Sequence, residues 1–200
     1  MKVGALITSI DSKMPNSYSD QDKVDWINDL EKTIFNDSIE KQTTSSIDLV
    51  KDQQAYAMPT GYAFEDLIKV TVNGTEYEKR SMANHTANTF FNSDGDIALD
   101  PTPTEDSTGG LVTVYRWKPT AKTVAGKTTE DLELPDRFTN LYRYYLYAMI
   151  AMHNKEFGES NNWTVMYNTE LGALLKWWQE VCPKDNVESN KKGAANWGRW

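Results

Sequence analysis

Two histidines, one cysteine and an Asp-Gly-Asp triplet are the groups in this sequence best suited to reactive or metal-binding chemistry. His85 and His153 stand alone. Neither belongs to a metal-ligand spacing such as HExxH or a Cys pair followed by spaced histidines. Asp94-Gly95-Asp96 is a fragment of a calcium-loop pattern, but the closing glutamate does not follow at the required distance. A hairpin turn is the better reading of it. Cys182 has no second cysteine to pair with, so no internal disulfide can form. GxSxG, phosphate-loop and GxGxxG motifs are absent from the sequence. Carboxylates are plentiful, yet among 29 acidic residues they are background and mark no acid–base pair. The expectation is a chain with no catalytic residue, no cofactor and no metal.

The aromatic residues carry more information. There are seven tryptophans and ten tyrosines, and most fall at helical spacing, where they read as core. Trp197 and Trp200 do not. They lie in residues 183–200, a stretch without any core-forming period, beside Gly198 and Arg199. Trp and Arg dominate the hot spots of protein interfaces. This arm holds four basic and two acidic side chains, whereas residues 1–182 hold 17 basic and 27 acidic ones. Opposite charge on body and arm invites a charged partner or contact between copies. The candidate binding residues are Lys191, Lys192, Trp197, Arg199 and Trp200, with Lys184 nearby. A net charge of −8 argues against wholesale nucleic-acid binding, which needs a basic face.

Elements must position these groups. Val3, Leu6, Ile7 and Ile10 predict a short helix over about 3–10. Ser17 or Ser19 can cap the next one, with Asp20 and Asp22 near its positive end. That helix is expected over about 20–36, with Trp26, Ile27, Leu30 and Ile34 facing the core. Residues 37–53 are polar and ambiguous, and a strand can start within 47–52. A β module is expected over about 54–118. Its strongest signal is the alternation around Asn73-Gly74, the favoured pair for a tight primed turn. Residues 111–117 are apolar on both faces, as in a strand inside a sandwich. Gly109 and Gly110 are read as loosening the loop before it. Leu134-Pro135-Asp136 opens a helix over about 135–157, with Leu141, Tyr145 and Met149 on its apolar stripe. Gly158 ends it, and a further helix over 159–181 carries Leu171 and Leu174. The expected fold is α+β: a helical bundle, made of the N-terminal helix and a C-terminal antiparallel helix pair, with an inserted small antiparallel β module and an extended C-terminal arm. Two hundred residues suit one domain, here 1–182, plus the arm 183–200. The apolar run at the N-terminus is short and broken by Thr8, Ser9 and Asp11, so no membrane span or signal peptide is expected there.

The segment 16–31 fits the pattern N-x-[YF]-[ST]-D-x-x-K-x-x-W-I-N-x-L-E through Asn16, Tyr18, Ser19, Asp20, Lys23, Trp26, Ile27, Asn28, Leu30 and Glu31. With it come AYAMPTGYAFEDLIKVTVNGTEYEKRS (55–81), IALDPTPTE (97–105), VTVYRWKPT (112–120), LPDRFTNLYRYYLYAMIAMHNKEF (134–157) and WTVMYNTELGALLKWWQE (163–180). Taken in this order, they make residues 3–182 similar to tailed-phage head–tail connector adaptor, or head-completion, proteins. The resemblance implies a non-catalytic virion protein, made in the host cytoplasm and placed at the head–tail junction. It implies a homo-oligomeric ring, usually dodecameric, beneath the portal protein. Such a ring extends the DNA channel used in genome ejection, without sequence-specific DNA binding, and offers a platform to a tail or next connector protein. The arm then becomes a candidate for portal docking. The alternatives are another tail-proximal ring protein of the connector, a carbohydrate-binding β module suggested by the aromatics, and an enzyme of unrecognised type.

Overall fold

The computed structural model describes residues 1–80 and 88–181. The chain divides into two compact units. Among the described residues, one is Met1–Ile39 together with 119–181, and the other is 40–118.

The first unit is helical. Helix α1 (Val3–Lys13) buries Val3, Leu6, Ile7 and Ile10, the four residues at helical spacing. Its first N–H groups donate to backbone carbonyls of the 119–134 segment, Val3 to Glu130 at 3.1 Å and Gly4 to Lys127 at 2.7 Å. This satisfies donors that a helix start leaves free. It also requires close approach: a Cβ on Gly4 would sit 3.1 Å from the Lys127 carbonyl oxygen. Helix α2 (Asp20–Thr33) begins at Ser19 with a capping box. The Ser19 Oγ accepts from the Asp22 N–H at 3.2 Å, and the Asp22 carboxylate accepts from the Ser19 N–H at 2.8 Å. Donation to this carboxylate from the Ser19 hydroxyl, at 2.6 Å, and from the Ser19 N–H holds the Asp22 carboxyl below its ordinary range. A π-helical turn (Ile34–Ser38) continues α2 and buries Ile34 and Phe35. Helix α3 (Thr139–His153) follows a single 3₁₀ turn (Asp136–Phe138) after Pro135. It stops at Asn154, and the chain reverses through Lys155 at φ 64° into α4 (Phe157–Val181). The break thus precedes Gly158, which lies in the first turn of α4.

The second unit is a sheet of seven strands: β1 (Gln42–Leu49), β2 (Ala55–Tyr56), β3 (Leu67–Val72), β4 (Thr75–Lys79), β5 (Thr89–Ser93), β6 (Asp96–Asp100) and β7 (Ser107–Arg116). Their spatial order is β1-β7-β3-β4-β5-β6-β2. Asn73 and Gly74 both take positive φ, 47° and 83°, and close the β3–β4 hairpin as expected of a primed turn. Tyr115, Leu111, Val70, Ile97 and Leu99 form the centre of its core.

This sheet overturns the expectation of a helical bundle carrying a small antiparallel module. The described residues form a curled mixed sheet of seven strands plus four α-helices. Three physical features account for the difference. The Ser- and Thr-rich β1 lies in the stretch read as ambiguous, and its hydrogen bonds go to β7, more than 60 positions away at Ile47↔Leu111. Strands β4 and β5 pair in parallel, a connection no hairpin signal can announce. And β7 is no sandwich strand but an interior strand of one sheet, its edges paired with β1 and β3, with Leu111, Thr113 and Tyr115 buried on one face and Val112 and Val114 half-buried on the other. Gly109 and Gly110 do not loosen a loop. They belong to β7, where a Cβ on Gly110 would fall 2.6 Å from both Asn73 Oδ1 and Leu49 Cδ1. The Asn73 N–H donates to the Gly110 carbonyl at 2.8 Å, tying the hairpin turn to β7.

Leu30 is buried on α2. Leu30→Ala is expected to cost about 2–5 kcal/mol in urea denaturation, the range for a buried leucine. A loss within about 0.5 kcal/mol, as at surface positions, would place Leu30 outside the core.

Candidate interaction surface

The residues of the 16–31 pattern all have structural work in the helical unit. Asn16 donates through Nδ2 to Asp11 Oδ1 at 2.9 Å and accepts from the Tyr18 N–H at 3.1 Å. The Tyr18 ring meets the edge of Trp26 with centroids 5.3 Å apart, and its hydroxyl donates to Asn154 at 3.0 Å. Trp26 stacks on His153 at 5.3 Å. Asp20 forms an ion pair with Lys127. The buried Lys23 reaches Asp11 at 2.6 Å. Asn28 clamps the backbone of Lys122 from both sides: its amide donates to the carbonyl at 3.0 Å, and its oxygen accepts from the N–H at 2.7 Å.

Glu31 ends the pattern and is only 1% exposed. Its Oε1 accepts from the Tyr142 hydroxyl at 2.6 Å and from the Glu133 N–H at 2.8 Å. Lys122 Nζ lies 3.8 Å from Glu31 Oε2 and donates to Glu133 Oε1 at 2.6 Å. Burial pushes the Glu31 carboxyl above its ordinary value and outweighs the pull of these donors and of Lys122. Burial, and then the Glu31 charge, push the Tyr142 phenol well up.

The other side of the unit faces outward. Helix α4 packs against α3 through Tyr145–Tyr167 and Tyr147–Trp163 ring contacts at 5.7 and 4.9 Å. Leu174 is its one fully buried residue among those described. Phe157 and Val165 are each 63% exposed, and Met166 and Val181 are exposed as well. A shallow groove of about 160 Å³ between α3 and α4 is lined by Tyr145, Met149, Met152 and Tyr167. A larger open pocket of about 460 Å³ is lined by Lys13, Arg143, Tyr144, Tyr147, Glu159 and Trp163, together with Met14 and Asn140.

Of the residues predicted as core, Ile27, Leu30, Ile34, Leu141 and Leu174 are buried, while Trp26, Tyr145, Met149 and Leu171 are half-buried. The candidate binding residues Lys191, Lys192, Trp197, Arg199 and Trp200 lie outside the described residues, as do Lys184, Cys182 and His85. Sequence reasoning placed Tyr142 on the apolar stripe of the 135–157 helix without seeing its hydroxyl's role, and passed over Lys122, Glu133, Arg143 and Tyr147. A signal existed for the buried cluster: Lys23 and Glu31 fall on the apolar stripe of α2, where a solvated charge would not be placed. Among the described residues, no group of three or more His, Cys, Asp or Glu could hold a metal ion. No described helix is long and apolar enough to cross a membrane.

The family described as SU10 adaptor protein matches residues 1–188. The chain belongs to that family, a family of phage head–tail adaptors. No curated protein matches the chain.

The buried carboxyl gives a pH prediction. The folded state raises Glu31 above its unfolded value of 4.5 and so favours the protonated form. That contribution is fully present below the unfolded value and is lost as pH rises through the folded one. Glu31→Gln keeps an acceptor for Tyr142 and Glu133 but cannot ionise. In denaturant titrations from about pH 4 to pH 8, wild type should lose stability relative to Glu31→Gln as pH rises; the reverse slope would show that the fold stabilises the carboxylate. Glu31→Leu should cost about 1–3 kcal/mol for each donor left unsatisfied.

Proposed function

We propose that this adaptor works as a structural ring beneath the portal, a dodecamer that joins capsid to tail and extends the DNA channel. The supporting observation is the family match over residues 1–188. The outward face of α4, with Phe157, Val165, Met166 and Val181 exposed on a helix that is otherwise packed on one side, adds to it. Exposed apolar surface of this kind suits contact with other proteins. In this reading the helices pack copy against copy, and the sheet unit meets neighbouring copies or the next tail protein. DNA passes through without sequence-specific contact, in keeping with a net charge of −8. The protein is made in the host cytoplasm and resides at the head–tail junction of the virion.

An acidic body repels its own copies in the absence of a template. The isolated protein is therefore expected to be monomeric or weakly associated and to assemble when portal is added. A stable ring at micromolar protein without portal, seen by light scattering, would contradict this.

The arm is the proposed portal anchor. Removing residues 186–200 should leave the melting temperature close to that of the full chain and sharply weaken portal binding. The double change Trp197→Ala with Trp200→Ala should do most of the same. Unchanged affinity after truncation would move the docking surface to the helices.

A further inference from the structure

The pocket between the end of α1, the outer side of α3 and the start of α4 is more than a surface dip. Two of its lining groups are donors with no hydrogen-bond partner among the described residues: the Tyr147 hydroxyl and Arg143 Nε. Tyr147 is only 6% exposed. Burial pushes its phenol up, so it carries its proton at neutral pH. Arg143 is anchored by a 3.0 Å bond from Nη1 to Asn140 Oδ1, which leaves Nε–H for another acceptor. The two residues stand one turn apart on the same side of α3, near enough for the Arg143 charge to act on the Tyr147 phenol. A buried donor without an acceptor costs free energy, and both can be satisfied by one group with two acceptor oxygens.

The remaining lining describes what carries that group. Lys13 adds a second cation, and Trp163 adds an aromatic wall, stacked on Tyr144 at 5.9 Å and against Tyr147 at 4.9 Å. Trp, Tyr and Arg grouped in a concave patch are the make-up of an interface hot spot. Glu159 on the same rim, and Asp136 beside Arg143 in the adjoining cleft, disfavour a polyanion. A nucleic acid would bring neighbouring phosphates against those carboxylates. A single carboxylate beside an apolar side chain would not.

We propose that this pocket is a binding site for an acidic peptide segment of a partner polypeptide. An Asp or Glu side chain accepts from Arg143 Nε and the Tyr147 hydroxyl, Lys13 supplies further attraction, and an adjacent apolar side chain lies on Trp163. The site belongs to the helical unit alone, and its lining residues are not those of the exposed stripe of α4.

The test uses the full ¹⁵N-labelled chain and reads the Trp163 indole N–H resonance, assigned through Trp163→Phe. The probe is a capped Gly-Leu-Glu-Leu-Gly peptide, compared with its Gln counterpart and with inorganic phosphate. The expected result is a saturating shift with the Glu peptide, at least tenfold weaker with the Gln peptide, and weakened by salt. Lys13→Gln, an exposed position, should reduce affinity several-fold at unchanged melting temperature, and Arg143→Gln should remove the shift. Equal response to the Glu and Gln peptides, or no response to either, would overturn the proposal. So would phosphate matching the Glu peptide, which would make the site a general anion cleft. If Arg143→Gln fails to fold, Lys13→Gln and the Glu/Gln comparison still decide the matter.

Discussion

A carboxyl group sealed inside the helical unit is the constraint on which that unit depends. Glu31 cannot be left without donors at this depth. Its partners come from two other parts of the chain, the Glu133 backbone and the Tyr142 hydroxyl. Satisfying one side chain therefore fixes α2, the connection before α3, and α3 itself. Lys122 closes the arrangement between Glu31 and Glu133 and is held in turn by Asn28, one turn back on α2. The segment 119–134 has no helix or long strand of its own. Its position follows from these polar bonds, the Asp20–Lys127 ion pair, and the N–H groups of Val3 and Gly4. Each net bond adds little stability. Leaving any of these buried groups unpaired costs more, so the cluster selects one arrangement over its alternatives.

Local chemistry was legible in the sequence, and pairing across long distances was not. The apolar spacing of Val3, Leu6, Ile7 and Ile10, the Ser19 cap and the Asn73-Gly74 turn each depend on residues within a turn or two, and the structure places them where that logic requires. Strand β1 had such a signal only at its end, where a strand start was read within 47–52. QTTSSIDL is polar, lies at the sheet edge, and becomes a strand only because β7 offers its hydrogen-bonding groups. The same distance rule hid the parallel β4–β5 pair. The bundle reading failed for a related reason. An aromatic, apolar helix such as α4 looks like core from its composition, but composition does not say how many sides are covered. Tyr167, Leu171 and Trp178 are half-buried against the unit, while Val165 and Met166 remain in solvent.

Glycine shows how the sheet unit manages a comparable constraint with different means. Ser46 Oγ donates to the Gly109 carbonyl at 3.2 Å, and Asp48 accepts from the Gly109 N–H at 2.7 Å. Gly109 takes φ 64° at this point, and Gly110 leaves no room for a side chain. The start of β7 is thus pressed between β1 and the β3–β4 turn. In the helical unit close approach is secured mainly by buried polar side chains; here it is secured by the absence of side chains.

The pattern at residues 16–31 works within the chain: it caps α2, stacks on His153 and holds the 119–134 segment. Such residues build a scaffold, and a scaffold does not choose a partner. Choice of partner must come from groups the scaffold leaves unsatisfied. On the helical unit these are of two kinds: the apolar side chains along α4, which favour burial by any apolar surface, and the donors of Arg143 and Tyr147, which require a particular acceptor. The first kind contributes affinity with little selectivity. The second discriminates, because a wrong neighbour leaves both donors buried and unpaired. An adaptor must bind firmly and yet reject the other proteins that share its surroundings, and under the proposed binding a permissive apolar helix beside a demanding polar pocket would meet both requirements on one pair of helices.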